Sequence, residues 1–505
     1  LPGADLAASI GLRRLTTFEY DNTLRDLLGE TMRPGAGVLP ADARTPFDND
    51  HTVQEPSKAL VDGLELIARE ATDRLLADKP RLTSVVGCAA SKPDDADCFR
   101  RFVTSFGRRA LRRPLSAEEV TRYEKKFLPA ATTANDFGAA VALAVQAFLQ
   151  HPELVYRTEI GKPVANQPGL FVLSDFEIAT RLSYFLWGAP PADWMLDLAG
   201  QGALSKSAGV RDAAWRMLGD ARARALVERF HALWLGYESM SPPTPELGAA
   251  MKKETSALIE RVVFETQKPW RDLLRAEDTF VDAGLARHYG LPAGATGWTR
   301  YPAGPDARRG LLSHATFLSN GAKAGDTSPT MRGIAIRELL MCDEIPPPPP
   351  GVDSDTPPAG MAASDCKEDR YNVHRAGGCA SCHALIDPIG FGLERYDHQG
   401  RYRTSEPGNA ACAIRGQGAV DGIGNFSGPA QLSDLLLTSG KLESCLQKQL
   451  YRFAVGRTAL DANDKAFLAR MAELLGAGRT DFRLDELLLD FVSADAFRHR
   501  RQSTL

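Results

Sequence analysis

The stretch Ser174-Asp175-Phe176-Glu177-Ile178-Ala179-Thr180-Arg181-Leu182-Ser183-Tyr184-Phe185-Leu186-Trp187-Gly188 opens and closes in the manner of an α-helix. The Ser174 hydroxyl and the Glu177 carboxylate form a capping box, in which each side chain satisfies the other residue's exposed backbone N–H. Phe176, Ala179, Leu182 and Leu186 then recur at helical spacing, and Gly188 tolerates the left-handed turn that ends many helices. The same opening stands at Thr16-Thr17-Phe18-Glu19, followed by Leu24, Leu27 and Leu28 up to Gly29, and at Ser116-Ala117-Glu118-Glu119. Residues 208–240 and 246–277 read as further helices, with Trp215, Leu218, Leu226 and Phe230 on one face. Alternating strand-like runs are scarce, so the expected fold class is mainly α.

The composition is that of an ordinary globular protein. At 505 residues with 44% hydrophobic content, the chain can bury a sizeable core divided over three or four domains. Sixty basic and 64 acidic residues give a formal net charge of -4, so no global field attracts nucleic acid, and nucleic-acid binding is unsupported. No apolar run reaches the roughly 20 residues of a membrane span. The first residues, Leu1-Pro2-Gly3-Ala4-Asp5, lack a basic start and an apolar stretch, as expected for a mature form after signal removal.

Chemistry concentrates at Cys379-Ala380-Ser381-Cys382-His383. Two thiols about one helical turn apart face a porphyrin edge together and bond its vinyl groups, while the next residue's imidazole takes the iron. The motif therefore implies one covalently attached haem c, with His383 as the proximal ligand. Two other readings use some of the same residues. A zinc site would draw on Cys366, Cys379, Cys382 and His383, but lacks a second paired knuckle. A thioredoxin-like Cys-x-x-Cys needs a strand before it, where this sequence is polar and loop-like.

Outside the motif six cysteines remain, an even number that suits an oxidising compartment. Local spacing favours Cys88 with Cys98, Cys342 with Cys366, and Cys412 with Cys445, among fifteen connectivities. Covalent haem attachment in bacteria also occurs outside the cytoplasmic membrane, so a periplasmic or extracellular location is expected.

The clearest linker is the five-proline run Pro346 to Pro350, which favours extended polyproline II and is followed by a Ser/Thr/Pro/Ala stretch to Ala363. Around it the expected modules are helical segments over 1–85, 86–165, 166–300 and 301–345, the linker 346–363, a haem-binding segment over 364–430 and a C-terminal helical module over 431–505. Residues 408–428 are glycine-rich and read as loops or short strands.

The run Asp387-Pro388-Ile389-Gly390-Phe391-Gly392-Leu393-Glu394-Arg395-Tyr396-Asp397 resembles the planctomycete-type cytochrome c-like family of bacterial envelope proteins. Arg13-Arg14-Leu15-Thr16, Arg112-Arg113-Pro114-Leu115, Ala179 to Trp187, Arg309-Gly310-Leu311-Leu312 and Phe453-Ala454-Val455-Gly456-Arg457 resemble its other modules, in the family's order. The resemblance implies a multi-helical body, a cytochrome c-like segment and a C-terminal helical module outside the cytoplasm. It implies no defined substrate.

Around the iron, the free ring nitrogen of His383 is expected to donate to a fixed acceptor. The Pro388 carbonyl or a neighbouring one can serve, and Asp387 is a further candidate, although an Asp before proline in a turn more often caps its own backbone. Arg395, Tyr396 and Arg401 follow the motif closely enough to hold haem propionates, and are equally compatible with a solvated face. His374 is expected on the same side of the porphyrin as His383, or at its edge. The distal ligand separates the functions, since a closing Met or His suits electron transfer and an open position suits activation of oxygen or peroxide. His314 and Met361 are the candidates, His314 ranked first. The expected function is thus electron transfer to an unidentified redox partner. A haem oxidoreductase of peroxidase or oxygenase type is the alternative, and an envelope binding or assembly protein with an appended haem segment a further one. Oligomeric state is not legible.

Overall fold

The computed structural model describes residues 1–303, 307–322, 325–348, 350, 358, 365–474 and 479–502. The fold is mainly α, and the described chain divides into two compact units. One comprises residues 1–227, 451–474 and 488–505; the other comprises 228–450 and 475–487.

All three capping boxes form, at Thr16/Glu19, Ser116/Glu119 and Ser174/Glu177, and open the helices Thr17–Leu28, Ala117–Ala134 and Asp175–Trp187. Gly29 and Gly188 close the first and third with positive φ. In the first unit these helices, with Lys58–Ala77, Ala96–Leu111 and Phe137–Leu149, enclose a core that includes Leu24, Ile67, Phe99, Phe102, Val145 and Phe148. Beneath it lies a buried ion cluster. Glu159 accepts from Arg13 at 2.9 Å and from Arg181 at 2.6 Å, and all three side chains are almost fully enclosed. Arg13 also donates to the Ala454 carbonyl and Arg181 to that of His499, so one carboxylate gathers the start and end of the chain. Cys88 and Cys98 are bonded across the loop that precedes Ala96–Leu111, as their spacing suggests.

One helical face differs from expectation. Residues 208–240 break at Gly219 and Asp220 into Ser207–Leu218 and Ala221–Trp234, so the spacing that joined Trp215 to Phe230 spans two helices. Val210, Ala213, Ala214 and Met217 are the buried face of the first, whereas Trp215 is 72% exposed.

In the second unit, Trp234 and Trp270 stack with ring centroids 5.6 Å apart, and Trp270 Nε1 donates to buried His231 Nε2 at 3.0 Å. The strands Asp278–Val281 and Gly297–Arg300 pair antiparallel beside a core of Met251, Leu285, Tyr289 and Ala315. Farther along the chain, the short helix Pro329–Ala335 crosses the helix Ala380–Phe391 at backbone contact. A Cβ on Gly333 would stand 1.9 Å from the Ile386 carbonyl oxygen, and one on Gly390 would stand 1.8 Å from that of Pro329. Arg332, from the first helix, donates to the carbonyls of Leu318, Leu393, Tyr396 and Asp397, and Arg337 donates to that of Leu385.

Charges complete this lock. Glu394 is buried and bonds Arg332, Arg403 and Lys367 at 3.3, 2.8 and 3.1 Å. Lys367 Nζ also reaches Asp326 at 2.8 Å and the Thr327 carbonyl at 2.9 Å. Residues 326–337 precede the proline run and residues 367–403 follow it, so the two sides of that run pack together and are not held apart as a spacer would hold them. Most of the run to Ala363 lies outside the described residues. The hairpin Gln417–Val420/Gly424–Ser427 lies in the region read as loops or short strands, and the helix Gly428–Thr438 follows it.

Two outcomes follow from this packing. Alanine is favoured over glycine in a helix by about 1 kcal/mol, but the overlap at Gly390 is with backbone and cannot be relieved by a rotamer change. Gly390→Ala is expected to cost at least about 2 kcal/mol, whereas Gly378→Ala, with open space around its Cβ position, should be neutral; urea unfolding followed by circular dichroism compares them. For Asp326, burial would raise the carboxyl's pKa, but Lys367, the Thr327 N–H and Arg403 outweigh it and hold the group well below its usual range. Between the folded and unfolded pKa values the unfolded chain binds the extra proton, so this contribution is present above about pH 4 and lost as acid approaches the folded value. Asp326→Asn should therefore lower Tm near neutrality and flatten its fall below pH 4.

Candidate functional site

The motif begins at the mouth of the Ala380–Phe391 helix, preceded by the 3-10 turn Gly377–Cys379. A turn rather than a strand leads in, so the thioredoxin-like arrangement is absent at this position. Cys379 adopts helical dihedrals, and with Cys382 and His383 it lies on one turn of continuous helix. Cys379 is exposed, Cys382 is half-buried, and both are free thiols.

The other six cysteines are all bonded. Beside Cys88–Cys98 the pairs are Cys342–Cys445 and Cys366–Cys412, which corrects the expectation of Cys342–Cys366 and Cys412–Cys445. Sequence proximity misled because the close crossing of the two helices sets which segments meet. Cys342, just after the Pro329–Leu340 helical stretch, meets the helix carrying Cys445, and Cys366 meets the strand Asn409–Ala413. The bond to Cys412 also removes Cys366 from any zinc set with Cys379, Cys382 and His383.

His383 lines a cleft of about 850 Å³, within the usual range for cofactor sites. One wall is the helix itself, through Ala380, Ala384, Pro388 and Phe391; the opposite wall is the hairpin, through Gln417, Gly418, Ala419, Asn425 and Phe426. The walls approach closely because Gly392 and Gly418 leave room for the Phe426 ring, which a Cβ at either position would strike. Tyr371 and Arg375 complete the rim. Proline at 388 has no N–H for the Ala384 carbonyl, so this helix tolerates a missing bond on its cleft-facing side.

The His383 ring is held from behind. Its Nδ1 lies 3.1 Å from each carboxylate oxygen of Asp387, one helical turn on. Asp387 is buried, and it also accepts from Thr330 Oγ1 at 2.6 Å and bonds His374 Nδ1 at 2.8 Å. The two imidazoles lie with centroids 3.8 Å apart, and Tyr371 packs edge-on against both His374 and Phe391. His374 thus packs against His383 and shares its carboxylate. Asp387 is no turn cap. It sits inside the helix despite the following proline, because three side chains fix its carboxylate in a place where local backbone preference alone would not.

The proposed propionate holders lie elsewhere. Arg395 donates to the Ile414 carbonyl, Tyr396 is buried under the Arg308 guanidinium, and Arg401 is paired with Asp397; none of the three lines the cleft beside His383. Among the described lining residues the guanidinium is that of Arg375. His314 is also apart. Its Nδ1 is 3.0 Å from Thr255 Oγ1, and its Nε2 is 3.7 Å from the buried carboxylate of Glu254, which accepts from Thr279, Tyr289 and Tyr301. Burial lowers the His314 pKa, against the opposing pull of the Glu254 carboxylate. Met361 lies outside the described residues.

A haem fits this donor set on three counts: the free thiols are those of the motif, the His383 Nδ1 is already engaged so that Nε2 is the nitrogen left for coordination, and the adjoining cleft combines an apolar lining of Ala380, Ala384, Pro388, Phe391 and Phe426 with polar groups that include Glu368, Arg375 and Gln417. No helix among the described residues is long and apolar enough to cross a membrane.

Four family models match, each described as a protein of unknown function: PSD3 (DUF1587) over residues 13–77, PSD5 (DUF1595) over 98–159, PSD4 (DUF1592) over 173–291 and PSCyt3 (DUF1588) over 308–406. These are planctomycete cytochrome-like domains, and they support that family for this chain. The last match encloses residues 379–383. No curated protein and no solved structure matches.

Mass mapping tests the cysteine assignment. Haem-free, unreduced protein should take two alkyl groups on denaturation, at Cys379 and Cys382, and yield linked peptides for Cys342–Cys445 and Cys366–Cys412; a Cys342–Cys366 link would contradict it.

Proposed function

We propose that this chain, built of planctomycete cytochrome-like domains, is an extracytoplasmic c-type cytochrome that carries one covalently attached haem and passes electrons within a bacterial envelope redox system. The observation that supports it most is the pairing of two free thiols with an oriented imidazole at the edge of a cleft, in a chain whose six other cysteines are bonded. Cys379 and Cys382 would hold the porphyrin through thioethers and His383 would bind iron through Nε2. When bound, the haem supplies a one-electron ferric/ferrous couple.

The protein's own residues do the rest. Asp387 fixes the rotation of the His383 ring, and Phe391, Phe426 and Pro388, which line the cleft, would exclude water from a porphyrin held there. Arg375 offers a guanidinium at the rim for a propionate. The three disulfides support a location outside the cytoplasm, where thiols are oxidised.

A haem-dependent oxidoreductase is the second reading. It is favoured by the polar side chains of Gln417, Asn425, Ser427 and Gln431 along the cleft, which can hydrogen-bond a small ligand.

Expression with a c-type haem maturation system decides between them. Haem should remain on the wild-type chain in a denaturing gel and be lost from the Cys379→Ala/Cys382→Ala double variant; absence of bound haem in the wild type would sink the proposal. A six-coordinate spectrum in both redox states without carbon monoxide binding supports electron transfer. Carbon monoxide binding with sustained peroxide turnover supports the second reading.

A further inference from the structure

We propose that Asp387 is an anionic positioning residue that lowers the reduction potential of the haem, and that Thr330 and His374 set how strongly it does so. This inference rests on the proposed haem attachment at Cys379, Cys382 and His383, and it adds a control of the site's redox poise.

This segment treats two of its buried carboxylates differently. Glu394 is met by two guanidiniums and an ammonium, from Arg332, Arg403 and Lys367. Asp387, seven residues earlier and also buried, is met by the Thr330 hydroxyl and two imidazoles. None of these donors carries the fixed charge of a lysine or arginine. Local positive charge is thus matched at Glu394 and withheld at Asp387.

An imidazole that gives its Nδ1 hydrogen bond to a carboxylate is a more basic ligand than one that gives it to a neutral carbonyl, because negative charge is shared into the ring. Stronger donation favours the more highly charged ferric iron over the ferrous iron. The carboxylate's charge acts in the same sense across a poorly solvated gap. Both effects lower the potential.

His374 and Thr330 oppose this in part, since each donates to the same carboxylate and draws charge away from His383. Their removal should therefore act with the opposite sign to removal of the charge itself. His374→Phe keeps a ring against His383 and deletes the donor; Thr330→Val keeps the branched shape and deletes the hydroxyl. Asp387→Asn keeps an oxygen for the His383 N–H and deletes the charge.

Spectroelectrochemical titration of the covalently haem-loaded protein, with mediators supplying or removing the single electron, tests the pattern. Asp387→Asn should raise the midpoint so that the ratio of ferrous to ferric haem at a fixed potential increases at least tenfold, about 59 mV for one electron. His374→Phe and Thr330→Val should each shift it downward. Covalent haem with an unchanged or lowered midpoint in Asp387→Asn overturns the inference and leaves the proposed function standing. Should Asp387→Asn not retain haem, an unchanged or raised midpoint in both other variants overturns it equally. A wild-type chain without covalent haem overturns both readings.

Discussion

Everything near the motif depends on the backbone contact between the Pro329–Ala335 and Ala380–Phe391 helices. Two glycines facing each other's partner carbonyls, Gly333 toward Ile386 and Gly390 toward Pro329, bring the helices closer than any side chain would permit. At that separation Arg332 can span the crossing and bond three carbonyls on the far side, those of Leu393, Tyr396 and Asp397. Thr330, on the same short helix, reaches Asp387 and through it the ring of His383. Orientation of the functional imidazole is therefore a property of the crossing, transmitted through one hydroxyl and one carboxylate.

The second unit also shows how differently one protein can treat buried charge. The carboxylates of Glu394 and Glu254 illustrate the two common solutions, matched cations in the first case and neutral hydroxyl donors in the second. Burying a carboxylate is costly unless its oxygens are satisfied. At Asp387 the donors are a hydroxyl and two imidazoles, an arrangement that stabilises the group while leaving its charge available to its neighbours.

Local information was legible in the sequence and non-local information largely was not. Capping boxes at Thr16, Ser116 and Ser174 need only four residues, and each formed as read. The Cys379–His383 spacing is likewise local and fell on a helix. The disulfides of Cys342 and Cys366 depended on which distant segments meet, and the nearest cysteine outside the motif was the wrong partner for both. Trp215 was misplaced because a helix was read through the break at Gly219. Proximity in sequence similarly suggested Arg395, Tyr396 and Arg401 for the cleft, whereas the chain turns after Phe391 and takes them to other partners. A signal for Asp387 was present: it stands four residues after His383, the spacing of one helical face. The following proline argued for a turn and hid it.

The Cys366–Cys412 bond has a consequence for biogenesis. It closes a loop that encloses both motif cysteines, so four thiols of the nascent segment share one neighbourhood and a first bridge can form between any two of them. Only the pairing of the outer two leaves the inner two reduced for a porphyrin. With haem attached as proposed, an oxidant acting early on the nearest neighbours would join Cys379 to Cys382 and block attachment, which would require ordered steps: either the outer bridge is sealed selectively, or the inner pair is protected until it is consumed. On this view the assembly of the molecule is a competition in time between two sulfur chemistries.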